Sequence, residues 1–172
     1  MKLLFENWRE YLNEARTLSD YDVGGSLRVY HYARSEKDSL VLDPEYFLKN
    51  RSSHSRKDYA ASSLPRVFFY TNLDHAEDIV KSGRTLYTAF IESGRIYDLV
   101  SDEQNLKQKA RPYPSVPTVD FDKLLRGIES GDLTDGESYD GVFYRSGDMD
   151  VLVYFKSIKV EKFDSDNVQS ED

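Results

Sequence analysis

Several short apolar runs, rich in aromatic and β-branched residues, constrain the fold of this chain more than any other sequence feature. Residues 27–33 alternate like a strand, and residues 65–71 are a dense apolar and aromatic run opened by Pro65. A further short run covers residues 94–100, and Ser146-Gly147-Asp148 is typical of a tight hairpin turn. The longer runs lie at residues 27–33, 65–71, 84–91, 138–145 and 150–163.

The predicted helices are short and fewer than the strands. Pro44 suits the first position of one helix, and Gly131 ends another. Because strands and helices follow no regular βαβ order, we expect an α+β fold with a largely antiparallel sheet. Residues 34–63 are polar, and most of them show no periodic spacing of apolar residues. Residues 101–119 are predicted to form a long loop or lid. The helices are predicted at residues 43–50, 72–83 and 121–131.

The pattern divides the chain into four parts. Residues 1–14 predict an amphipathic helix, with Leu4, Trp8, Tyr11 and Leu12 on one face. Residues 15–26 are polar and Gly-rich and predict a linker. Residues 27–163 form the expected globular domain, and 164–172 an acidic tail that we expect to be disordered.

Composition excludes several classes of function. A net charge of −8 argues against direct DNA binding, which needs a basic face. No apolar run is long enough for a membrane span, and charged residues near the N-terminus argue against a secretory signal. The chain has no cysteine, and its histidines are scattered, so no metal site is expected: His31, His54 and His75.

Two local patterns could carry chemistry. His31 lies in mid-strand between two tyrosines, where a histidine is either a hydrogen-bonded structural residue or a functional one. Asp148 and Asp150 are two residues apart at the start of a strand, so both carboxylates point to one face. They could stabilise a developing cation, or Asp148 could simply belong to a polar hairpin tip.

The order of the motifs suggests a family. RVYH, PRVFFYTNLDHAE, RTLYTAFIESGRIYDLVSD and SYDGVFYRSGDMDVLVYFKSIK follow one another over about residues 27–163. This arrangement resembles the ADP-ribosyltransferase fold, particularly the small domains encoded by tailed phages. The resemblance implies a split, mainly antiparallel sheet and NAD as a substrate. It also implies transfer of one ADP-ribose to a host macromolecule.

The resemblance also implies roles for individual residues. His31 matches the residue that holds a ribose hydroxyl of NAD. Tyr70 and Thr71 match the end of the strand that lines the nicotinamide pocket, and Tyr87 is a possible stacking aromatic.

Asp150 matches the acid that stabilises the oxocarbenium-like transition state, and Asp148 the position two before it. The family normally has Glu at the catalytic position, and Asp is one methylene shorter. Either the backbone compensates, or activity is weak, or the fold is kept only for binding.

The junction after the N-terminal helix resembles a processing site. Leu12-Asn13-Glu14, followed by Ala15, is similar to the bonds that prohead proteases of large tailed phages cleave. In such phages a peptide like residues 1–14 targets proteins into the capsid, and the mature protein enters the host with the DNA. The resemblance therefore implies a location in the virion interior and then the host cytoplasm.

Three functions remain open at this point. The first is an NAD-dependent mono-ADP-ribosyltransferase that acts on a host target. The second is a weak or inactive protein on the same scaffold that binds and inhibits a host defence protein. The third is a structural internal head protein without enzymatic activity.

Overall fold

The computed structural model describes residues 16–50, 63–74, 83–115, 117–147 and 149–164. Within these ranges the fold is α+β with a mostly antiparallel sheet, which confirms the predicted fold class. The strands are β1 (Asp22–Val23), β2 (Ser26–Ala33), β3 (Ser39–Leu42), β4 (Val67–Tyr70), β5 (Thr85–Glu92), β6 (Ile96–Asp98), β7 (Gly141–Ser146), β8 (Met149–Tyr154) and β9 (Ile158–Lys162). The described helices are α1 (Pro44–Asn50), α2 (Leu106–Lys109) and α3 (Phe121–Ser130).

The sheet consists of two half-sheets that meet at a narrow seam. One contains the strands in the order β3-β9-β5-β2, and the other contains β4-β8-β7-β6. They are joined between β2 and β4, where a single residue pair, Tyr30 with Tyr70, is in register. By contrast, β2 and β5 pair over eight positions, from Ser26 to Ala33 on the β2 side. The seam is therefore the weakest lateral connection that the described strands make.

Apolar side chains cover both faces of the sheet. On one face, which we call the α3 face, α3 buries Leu124, Leu125 and Ile128 against β-strand residues that include Val142 and Val151. The other face, which we call the strap face, is built on residues such as Val29, Phe69, Phe143 and Leu152. Because side chains alternate along a strand, neighbouring residues of β2, β4 and β8 point to opposite faces.

The two fully described predicted helices are confirmed. Asp120 caps α3, its carboxylate accepting a hydrogen bond from the Lys123 amide, and Gly131 ends the helix at a φ of 89°. α1 begins after Asp43, whose side chain accepts from the Glu45 amide at 3.0 Å. The helix predicted at 72–83 lies mostly outside the described residues.

The prediction of a single strand over residues 150–163 is wrong, because this segment forms two strands, β8 and β9. The chain breaks at residues 155–157, between β8 and β9. β8 pairs with β4 and β7, whereas β9 pairs with β3 and β5 in the other half-sheet. The break is thus the point where the chain crosses from one half-sheet to the other. β3, in the segment without a predicted period, and α2, within the predicted loop 101–119, were also missed.

A linker is the wrong description of most of residues 15–26. Residues 18–20 form a 3₁₀ turn, and β1 pairs with the start of β2. Gly24 and Gly25, which suggested flexibility, form the turn between them at φ values of 62° and 87°. The Gly25 amide donates to the Asp22 carboxylate at 2.8 Å. The N-terminal helix, the Glu14–Ala15 bond and residues 165–172 of the tail lie outside the described residues.

A charged junction fixes the start of β7. The Asp140 carboxylate bonds Arg95 at 3.0 Å and Lys156 at 2.7 Å. The Arg95 hydrogen bond is the main cause that lowers the pKa of Asp140, and Lys156 adds to it. At Gly141, a Cβ would lie 2.5 Å from the Val153 carbonyl oxygen, so only glycine fits here.

Candidate functional site

Asp150 lies near the start of β8, an inner strand of the second half-sheet, on the strap face. It is the second residue of β8 and is 5% exposed. Thr71 continues the line of β4 beside it, and the Thr71 amide and hydroxyl lie 3.5 Å and 3.4 Å from the Asp150 carbonyl oxygen. The two residues are therefore neighbours on one face, at the point where β4 ends.

The Asp150 carboxylate is buried and only half satisfied. Its Oδ2 accepts a hydrogen bond from the Tyr21 hydroxyl at 2.5 Å. Its Oδ1 is buried and has no hydrogen-bond partner within the part of the chain that the structure describes. A buried charge with an unpaired oxygen is costly, and such costs concentrate at functional sites.

Tyr21 covers this carboxylate from the N-terminal segment. Its ring lies 5.8 Å from that of Phe143, and the Arg16 guanidinium is 5.7 Å from the ring centre. Burial, with the hydrogen bond to Asp150 as the second cause, raises the pKa of Tyr21 to about 12. The phenol therefore keeps its proton at neutral pH and remains the donor to Asp150.

His31 lies at the seam between the half-sheets. Its Nδ1 is 2.8 Å from the Phe68 carbonyl oxygen. Because the Thr71 amide points to β8, alternation directs the Phe68 carbonyl of β4 towards β2. The two strands are in register only at Tyr30 and Tyr70, so the His31 ring supplies a bond where the ladder has stopped.

The chemical state of His31 follows from this contact. A carbonyl oxygen only accepts, so Nδ1 carries the proton, and a neutral ring then has its lone pair on Nε2. Burial lowers the pKa of His31, which favours the neutral ring. The ring also makes edge contacts with Phe47 at 5.5 Å and Phe69 at 5.8 Å, so it has a packing role as well.

Three of the predicted site residues share the strap face: His31, Thr71 and Asp150. The register of β2, β4 and β8 places His31 two strands away from Asp150 and two residues further along the strand direction. Regular strand spacings put their Cα atoms roughly 12 Å apart, too far for direct contact. They could act together only through a ligand that spans this distance.

Tyr70 and Tyr87 do not join this group. Tyr70 packs on the α3 face, where its ring stacks on Tyr32 at 5.9 Å, because Thr71 and Phe69 take the positions that share the face of Asp150. Tyr87 is fully buried, and its hydroxyl donates to the Lys37 carbonyl at 2.8 Å. A buried ring has no free face for stacking, so in this conformation Tyr87 is a core residue.

Asp148, Glu14 and Ala15 lie outside the described residues, as do His54 and His75. Tyr21 is the site residue that sequence reasoning missed. Its only signal was an aromatic side chain in a polar, Gly-rich segment, where a solvent-facing linker would rarely need one.

Two cavities lined by residues that the structure describes lie away from Asp150 and His31. One is a groove of about 540 Å³ lined by residues from 17–22, residues from 93–104 and Tyr139. Its lining includes the carboxylates of Asp22, Asp98 and Glu103 and no Lys or Arg. The other, of about 780 Å³, lies beside residues 34–37 and Gly83.

No family model matches this chain, and no solved structure matches it. Among the described residues, no cluster of His, Asp and Glu side chains is arranged to hold a metal ion. None of the helices that the structure describes has the length and apolar character needed to cross a membrane.

Proposed function

We propose that this domain is an NAD-dependent mono-ADP-ribosyltransferase in which Asp150 is the acid that stabilises the transition state. The observation that carries the proposal is the Asp150 carboxylate, buried on the strap face with Oδ1 unpaired. The order of the sequence motifs and the two half-sheets joined at one residue pair support it.

The chemistry suits a fixed carboxylate. When the bond between the nicotinamide nitrogen and ribose C1′ breaks, the electron pair leaves with nicotinamide and positive charge develops on the ribose. A carboxylate oxygen in a water-poor site stabilises that charge strongly. A nucleophile of the acceptor then bonds to C1′ and releases its proton. Oδ1 of Asp150 is suited to the first step because no other described group uses it.

His31 and Thr71 would position the substrate. With the proton on Nδ1, Nε2 of His31 is an acceptor for a ribose hydroxyl. The Thr71 hydroxyl is beside Asp150, on the same face. In this arrangement the nicotinamide riboside part of NAD bridges the gap between the two residues, and Tyr21 must leave Asp150 before the substrate reaches it.

Nicotinamide release from NAD by the purified protein, alone and with host lysate, tests the proposal. We expect Asp150→Asn, which keeps the shape and removes the charge, to lower release by roughly a hundredfold or more. Glu161→Gln, at an exposed acid on β9, is the matched control and should leave release unchanged. Absence of nicotinamide release and of a labelled acceptor, with the unaltered protein and with Tyr21→Ala alike, would refute the proposal.

We also propose that residues 1–14 are a capsid-targeting peptide removed at Glu14–Ala15, and that the mature protein enters the host with phage DNA. The sequence Leu12-Asn13-Glu14-Ala15 carries this part. Mass spectrometry of purified virions should detect the protein with Ala15 as its first residue. A virion without the protein, or a protein that still begins at Met1, contradicts it.

A second function is favoured by one observation, the hydrogen bond that occupies Asp150. If Tyr21 never leaves, the domain is a binding protein that inhibits a host defence protein. It would then show no NAD binding by calorimetry, and its capture of a host protein would survive both Asp150→Asn and His31→Asn. Loss of capture in both variants would count against this function.

A further inference from the structure

We infer that residues 17–21 form an autoinhibitory cover over Asp150, hinged at residues 22–25. This inference rests on the proposed function, since it concerns access to the same carboxylate. The cover and the hinge are parts of one N-terminal segment, but they are held in different ways.

The cover is held by two hydrogen bonds and by the packing of Leu18 and Tyr21 against the apolar core of the strap face. The Tyr21 hydroxyl donates to Asp150 Oδ2, and the Leu18 amide donates to Asp98 Oδ2 at 2.9 Å. The 3₁₀ turn between these bonds contains no buried residue. Because strand pairing begins only at Asp22 and no residue of the turn is fully buried, this segment can open locally at lower cost than the sheet.

The hinge is held more firmly. β1 pairs with β2 at Asp22 and Val23, and the Asp22 carboxylate accepts from both the Gly25 amide and the Ser93 hydroxyl at 2.8 Å. The Ser93 amide donates to the Gly25 carbonyl at 3.0 Å. Two paired positions and three hydrogen bonds make residues 22–25 the fixed end about which residues 17–21 can turn.

The position of the segment explains why it covers Asp150. β5 occupies one edge of β2, and both β1 and β4 pair along the other edge. β4 ends at Tyr70, and β1 pairs with β2 beyond that point. Tyr21, just before β1, therefore lies beside the end of β4, within hydrogen-bond distance of Asp150. On its other side the cover faces the groove of about 540 Å³, which Thr17, Leu18 and Ser19 help to line. Open space beside the segment leaves it room to lift.

Carbodiimide labelling of Asp150, read by peptide mass spectrometry, measures access without using NAD. We expect Tyr21→Ala to raise the labelling rate about tenfold or more, because a hydrogen bond to a charged group contributes about that factor to an equilibrium. Nicotinamide release should rise in parallel and should disappear when Asp150→Asn is added. Tyr113→Ala, at an exposed tyrosine, should change neither measurement.

The outcomes separate the inference from the proposed function. If Tyr21→Ala speeds the labelling of Asp150 but no variant releases nicotinamide, the cover is supported and the transferase is refuted. Unchanged labelling, or lower release with unchanged labelling, refutes the cover. Hydrogen exchange of the unaltered chain gives a test that no substitution can disturb. The Leu18 amide should exchange at least tenfold faster than the Gly25 and Ser93 amides, and equal rates would overturn the inference.

Discussion

Replacing His31 separates its structural role from its proposed role in substrate binding. His31→Ala removes the donor to the Phe68 carbonyl and the ring contacts with Phe47 and Phe69. Losing the donor costs about 1–2 kcal/mol, and losing the ring contacts costs about the same again. The sum, about 3 kcal/mol, corresponds to a fall in melting temperature of roughly 6–12 °C for a chain of this size.

His31→Asn is the matched variant. The Asn amide nitrogen, like Nδ1, is bonded to Cγ, so it can donate to the Phe68 carbonyl, whereas Ala cannot. We expect His31→Asn to recover about 1 kcal/mol of the loss in thermal melts followed by circular dichroism. Both variants lack Nε2, so both should lose NAD binding. Equal melting temperatures for His31→Asn and His31→Ala would refute the assigned hydrogen bond.

The same residue predicts a dependence on pH. Burial lowers the pKa of His31 below its usual 6.5, so the folded state favours the neutral ring. Its contribution to stability is therefore complete above pH 6.5 and is lost as the pH falls from there through the lowered value. The stability advantage of the unaltered protein over His31→Asn should shrink between neutral pH and mildly acidic pH. An advantage that grows on acidification would contradict the predicted direction.

Three further predictions follow from other contacts. Gly141→Ala should cost about 2–3 kcal/mol in denaturant melts, because its Cβ meets a backbone carbonyl at 2.5 Å, whereas Gly94→Ala, with open space, should cost far less. The lowered pKa of Asp140, due first to Arg95, means that its stabilising effect is present above pH 3.8 and lost as the pH falls further, so Asp140→Asn should flatten the acid limb of the stability profile. The protonated Tyr21 hydroxyl stabilises the fold fully below pH 10, and this contribution is lost as the pH rises through its raised pKa of about 12. Tyr21→Phe should therefore make stability less sensitive to alkaline pH. An unchanged stability profile would argue against the hydrogen bond to Asp150.

The sequence predicted the strands well because short apolar and aromatic runs are a local property. The runs at 27–33, 65–71 and 84–91 each contain an observed strand. Apolar and aromatic residues recur throughout 150–163, and for that reason the pattern could not reveal the break between β8 and β9. That break depends on which distant strands each part pairs with, and such pairing leaves no local signal.

The candidate site was predictable only in part. His31 and Asp150 stood out as polar residues within strands, and both lie on the strap face. Tyr70 ends β4 but lies on the α3 face, and the sequence did not say which face it would take. Tyr21 could not be found at all, since its contact with Asp150 spans 129 residues.

The strand order has a consequence for synthesis on the ribosome. β9, the last of the described strands, lies between β3 and β5, which are made much earlier. Until residue 162 has emerged, β3 has no neighbour in the first half-sheet and β5 has one bare edge. Such unpaired edges attract other chains, and contacts this distant in sequence form slowly. We therefore expect nascent chains that stop at Tyr154 to aggregate, and expression to depend on chaperones that shield these two strands until β9 has been made.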